Sequence, residues 1–116
     1  MKIALVVDDA ELVRTVVADA LRDAGMLVLE AATTEEGLAI VAARGDLAIA
    51  ISDLSLDGTT SGAAFLDQAQ RLHPNLKCVL MSGSMLPGQK VRTPFPVVSK
   101  PFPPRALIDL VERLLG

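Results

Sequence analysis

Asp8 and its neighbour Asp9, then Asp53, Ser82 and Lys100, are the residues of this 116-residue chain whose types allow joint chemistry, and each ends or directly follows a short apolar run. Three carboxylates brought to one place repel and raise each other's pKa values unless a cation intervenes. Hard oxygen donors with room left for water suit Mg2+, and the three acids, that cation and Lys100 together carry no net charge. A neutral cluster of this kind accepts a dianionic phosphoryl group. Cation and lysine hold its oxygens, the hydroxyl donates to another, and one carboxylate is left to attack in line.

The elements that must position these residues alternate along the chain. Ile3–Val7, Leu27–Ala31, Leu47–Ser52, Lys77–Met81 and Val97–Ser99 are short aliphatic runs that suit strands buried on both faces. Between them, Val13, Val16, Val17, Ala20, Leu21 and Ala24 keep a helical period that Gly25 stops. Thr33 with Glu36 predicts a capping box for a second helix reaching about Arg44. A helix over Ala63–Leu72 follows the polar stretch Asp57-Gly58-Thr59-Thr60-Ser61-Gly62, and His73-Pro74-Asn75 closes it. Pro103 and Pro104 open a last amphipathic helix with Leu107, Ile108, Val111, Leu114 and Leu115 inward. The expected fold is α/β: a parallel five-stranded sheet between helical layers, with its site at the carboxyl ends of the strands near the switch in strand order. One helix is missing from the pattern. The stretch 83–94, with two glycines and two prolines and no helical period, predicts a loop where a fourth helix is due.

Composition narrows the function classes. Hydrophobic residues are 51% of the chain, enough for a core, and the length fits one domain spanning residues 1–116. A net charge of −3 with three aromatics, all Phe, disfavours nucleic-acid binding, since neither a basic track nor stacking rings are supplied. No apolar run approaches the roughly 20 residues of a membrane span, and Asp8-Asp9 cuts off the only signal-like start, so a cytoplasmic location is expected. Cys78 lies in an apolar run and reads as a buried, inert thiol. His73, the sole histidine, reads as a solvated helix-end residue rather than a metal ligand or phosphorelay histidine.

Asp8-Asp9, Asp53, Ser82 and Lys100-Pro101, in that order and each at a strand end, resemble the response-regulator receiver domain of two-component signalling over Lys2 to Leu115. No single element is specific, but the five together in a (βα)5 register are. The resemblance implies a flavodoxin-like fold with strand order 2-1-3-4-5, Asp53 as the phosphoacceptor, Asp9 as a direct metal ligand, and Asp8 as a ligand through water or an acid one layer behind the direct ligands. The Ser55 carbonyl would complete the Mg2+ ligands with Asp53. Ser82 would bind a phosphoryl oxygen, Lys100 would pair with the phosphate, and Pro101 would follow a cis bond that aims the lysine. It further implies a sensor histidine kinase or phosphotransfer protein as donor and a switch that catalyses only its own phosphorylation and dephosphorylation. With one domain expected, the output would pass to a downstream protein partner.

Departures from the family pattern bear on the switch. Val97 stands where the family commonly has Tyr or Phe, and Gly83 where Ala is common. Met81-Ser82-Gly83, the shortened 83–94 loop and Pro94-Phe95 ahead of Lys100-Pro101-Phe102 resemble a subfamily of short receivers with a mobile loop in place of helix four, found alone or attached to histidine kinases. Singly, the acids could cap a helix, Asp53 could begin a turn and Lys100 could be a surface amine. Their shared place at strand ends speaks against that coincidence. Two alternatives stay open: a degenerate receiver acting as a phosphorylation-independent interaction module, and a small Mg2+-dependent aspartyl phosphohydrolase. The usual Asp-x-Asp spacing of the hydrolase is absent, since Asp8 and Asp9 are adjacent.

Overall fold

The structure, a computed structural model, describes residues 1–56, 60–83, 93–100 and 102–116. In chain order the elements are β1 (Ile3–Val7), α1 (Glu11–Asp23), β2 (Leu27–Ala31), α2 (Thr34–Ala43) and β3 (Leu47–Asp53). They continue with β4 (Ser55–Leu56), β5 (Thr60–Ser61), α3 (Gly62–Leu72), β6 (Lys77–Ser82), β7 (Val97–Ser99) and α4 (Pro104–Leu115). The five longer strands pair in parallel in the order β2-β1-β3-β6-β7, which is the expected 2-1-3-4-5 sheet.

Strand alternation sorts the apolar side chains into two layers. Ala4, Val6, Ile49, Ile51, Val79 and Met81 face α1 and α4, meeting Val17, Leu21, Leu107, Ile108 and Val111. Leu5, Val7, Ala50, Cys78 and Leu80 face the other way, toward Val41, Phe65, Leu66 and Ala69 of α2 and α3. Both faces of the sheet are therefore dry, which is why its strands read as unbroken apolar runs.

Local chemistry sets the helix ends. Thr33 Oγ1 accepts the Glu36 N–H at 3.1 Å while the Glu36 carboxylate reaches back to the Ala32 N–H at 3.4 Å, so both halves of the expected cap form, the second one residue early. Ser61 caps α3 by accepting from the Ala64 N–H. At the end of α1, Gly25 adopts φ +91°, and the Met26 N–H returns to the Leu21 carbonyl.

Two features depart from the sequence reading. Ser55–Leu56 and Thr60–Ser61 form a small antiparallel pair where a plain loop is expected; Asp57-Gly58 between them is the dipeptide that signals such a hairpin. His73 is half-buried rather than solvated, with Nε2 2.7 Å from the Val41 carbonyl, so it ties the end of α3 to α2. The expected loop in place of a fourth helix falls on residues 84–92, outside the described residues, and so does Pro101. Among the described residues there are four helices, and the flanks Gly83 and Thr93–Pro96 are not helical.

Cys78 is buried in β6, and burial pushes its thiol up to about 12 from an ordinary 9.0. The folded chain thus holds the thiol neutral where the unfolded chain ionises it, so stability falls as pH rises from about 9 toward 12. At neutral pH a thiol reagent is expected to label the native protein only at the rate of unfolding, and the denatured protein at once. Prompt native labelling, followed by absorbance, would contradict this burial.

Candidate functional site

Strand register brings the five polar residues level with one another. Val7 of β1 pairs with Ser52 of β3, Asp53 with Met81 of β6, and Ser82 with Ser99 of β7. Asp8, Asp53, Ser82 and Lys100 consequently emerge at the same edge of the sheet. The strand order reverses between β1 and β3, and that reversal opens the crevice where parallel sheets carry their sites.

Oxygens of Asp8, Asp9 and Asp53 all lie within 4.8 Å of one another. Lys100 spans two of these acids, with Nζ 3.0 Å from Asp53 Oδ1 and 3.3 Å from Asp8 Oδ2. Its own N–H donates to the Ser82 carbonyl at 2.6 Å, which joins the lysine directly to the end of β6. Burial differs across the cluster: Asp8 is fully buried, Asp53 is 13% exposed at its side chain, and Asp9 is open to solvent. Ser82 is buried beside them.

Electrostatics follow from this crowding. Burial raises the Asp53 pKa; Lys100 opposes the shift, and Asp8 and Asp9 add to it. For Lys100 burial works against the charge, but contact with Asp53 and Asp8 outweighs it and the pKa rises, so the amine stays cationic. Three carboxylates against one ammonium leave two negative charges at a partly buried place. A divalent cation neutralises them, and carboxylate oxygens are its preferred donors, so the residues present fit Mg2+.

The cluster contains every acid singled out in the sequence, and it brings Lys100 and Ser82 to the same edge. Ser55 lies two residues past Asp53 and begins β4, which holds its backbone beside the site. Three contributors were not singled out. Arg14 donates to the Asp8 carbonyl, Glu30 holds Arg14, and Gly62 packs against the Asp53 backbone. The glycine was legible only as part of a polar stretch, and the Arg14–Glu30 pair joins α1 to β2 across 16 residues, beyond any local pattern.

Beside Lys100, α1 and α4 diverge around an open apolar cavity of about 500 Å³ lined in part by Leu12, Val16, Gly83, Phe102 and Leu107. Leu12 and Val16 are 77% and 50% exposed. Among the described residues no helix is long and apolar enough to cross a membrane.

The model of the response regulator receiver domain family matches residues 4–112, and the chain belongs to that family. Solved structures agree. A CheY-like receiver domain protein from Methanospirillum hungatei JF-1 is 27% identical, with a TM-score of 0.87 over 99% of this chain and 94% of that one. The receiver domain of NtrX from Brucella abortus is 32% identical with a TM-score of 0.84, covering 97% of each chain. The receiver domain of the hybrid histidine kinase CckA is 29% identical with a TM-score of 0.83, covering 98% of this chain and 99% of that one. No curated protein matches the chain at a significant level. The chain is thus a receiver domain of two-component signalling, a switch module rather than a classical enzyme.

Proposed function

We propose that Asp53 accepts a phosphoryl group from a phosphohistidine on a sensor kinase or phosphotransfer protein, and that the resulting charge is signalled to a protein partner. The observation that carries this reading is the convergence of Asp53 with Asp8, Asp9 and Lys100 at the strand-order reversal. A carboxylate oxygen of Asp53 attacks phosphorus as the P–N bond to the histidine breaks, leaving an aspartyl phosphate; water later cleaves its P–O bond and restores the carboxylate. Lys100, already 3.0 Å from Asp53, turns its amine onto the phosphoryl oxygens and offsets their charge. The Ser82 hydroxyl, at the same edge, donates to a further oxygen. Asp9, Asp53 and the Ser55 carbonyl would hold Mg2+, with Asp8 acting through water because Lys100 and the Ala10 N–H already occupy its oxygens. When bound, the cation supplies the positive charge that one lysine cannot.

The donor must approach past the open edge, and the apolar groove of Leu12 and Val16 beside Lys100 offers it surface. Incubation with acetyl phosphate and Mg2+ is expected to add one phosphoryl group by intact mass, labile to acid, alkali and hydroxylamine, and none to Asp53→Asn. Absence of any adduct on the wild type, together with absence of Mg2+ binding, would leave the interaction-module reading in its place.

A further inference from the structure

Asp8 and Asp9 share one turn but are fixed by different means. Every polar group of Asp8 has a partner: its N–H donates to the Ala31 carbonyl at 3.1 Å, Oδ1 accepts the Ala10 N–H at 2.9 Å, and Oδ2 accepts Lys100. Its carbonyl accepts Arg14 Nη1 at 2.9 Å. The Asp9 carboxylate, by contrast, bonds no group among the described residues, so the backbone at Asp8 sets its place.

Arg14 is itself held. It lies one turn into α1, and its Nε donates to Glu30 Oε1 at 3.3 Å, with the two side chains 17% and 28% exposed. Glu30 sits on β2 opposite Val6, one residue before the Ala31 carbonyl that receives the Asp8 N–H. The Asp8 backbone is thus clamped to β2 twice, directly through its N–H to Ala31 and through its carbonyl and the guanidinium fork that leads to Glu30. The other Glu30 oxygen takes Arg22 at 3.1 Å, but Arg22 reaches the Val28 carbonyl and not Asp8.

We propose that Arg14, anchored by Glu30, is a positioning residue of the acidic cluster, fixing the Asp8–Asp9 turn so that Asp9 presents its carboxylate to a cation. This rests on reading the cluster as a Mg2+ site. The sign of the effect separates position from charge: removing a cation beside an anionic cluster by itself tightens Mg2+ binding, so weaker binding in a neutral variant marks lost geometry.

Calorimetric titration of the full chain with Mg2+, alongside thermal melts in chelator, tests this. Arg14→Met is expected to weaken Mg2+ binding about tenfold, the lower end for residues that orient metal ligands. Arg14→Lys, which keeps the charge but cannot reach both the Asp8 carbonyl and Glu30 as the fork does, shifts affinity the same way and covers the case in which Arg14→Met does not fold. Arg22→Met, which also loses a Glu30 contact, lowers the melting temperature with affinity unchanged. Unchanged or tighter binding in both Arg14 variants, or equal weakening in Arg22→Met, overturns the proposal. A wild type that binds no Mg2+ removes the site reading itself, and the positioning role with it.

Discussion

Replacing Gly62 with alanine is expected to cost about 3 kcal/mol of stability, the upper end of overpacking penalties, and to slow phosphorylation of Asp53 at the same time. The Gly62 N–H donates to the Leu54 carbonyl at 2.8 Å, which draws the start of α3 against the end of β3. A Cβ on residue 62 would overlap the Asp53 carbonyl oxygen and stand 2.8 Å from both the Asp53 carbonyl carbon and Ser52 Oγ. These are backbone atoms and a buried hydroxyl at the end of the central strand β3, so the strand end itself must shift. The shift moves the acceptor carboxylate away from Lys100. Gly45→Ala is the matched control, since a Cβ there meets nothing within 4 Å, and its effect should stay within about 0.5 kcal/mol. Denaturant melts of both variants measure the difference. A Gly62→Ala protein as stable and as readily phosphorylated as the wild type would contradict the close approach.

Asp53→Asn is expected to stabilise the metal-free protein at neutral pH and to remove most of its stabilisation by Mg2+. Burial, aided by Asp8 and Asp9 and opposed by Lys100, raises the Asp53 pKa above its ordinary 3.8. A raised folded pKa means that stability present below pH 3.8 is lost as pH rises through the folded value. The variant has nothing to ionise there and keeps that stability. In chelator its melting temperature should exceed that of the wild type at neutral pH, with the gap closing as pH falls toward 3.8. Mg2+ at a hundred times its Kd should then stabilise the wild type by roughly 2.7 kcal/mol and reverse the order. A variant that melts lower without metal would show that the Lys100 contact outweighs the crowding of acids.

Much of this arrangement is legible in the sequence because the sheet is parallel and covered on both faces. Ile3–Val7 and Leu47–Ser52 are uninterrupted apolar runs that end at acids, so the ends of the strands and the residues of the site are marked by the same change of residue type. The elements hold to within a residue or so at their ends, as when β3 extends through Asp53 and β6 through Ser82. Contacts made by tertiary structure alone were not legible. Arg14 looks like any polar helix residue until β2 brings Glu30 beside it, and Gly62 looks like loop composition until α3 packs on Asp53. His73 reads as surface because its partner is a backbone carbonyl 32 residues away. Val97 is half-buried against the cluster that contains Leu80 and Phe95, so aliphatic packing fills that side of β7.

On the proposed reading Asp53, and no other acid of the cluster, takes the phosphoryl group. Treating the protein with acetyl phosphate and Mg2+, reducing it with borohydride and mapping the modified peptide by mass reads this directly, because reduction converts an aspartyl phosphate to homoserine. Homoserine at residue 53 alone is the predicted result. Homoserine at residue 8 or 9, or a phosphoryl group on a serine or threonine that survives acid and hydroxylamine with residue 53 intact, would contradict it.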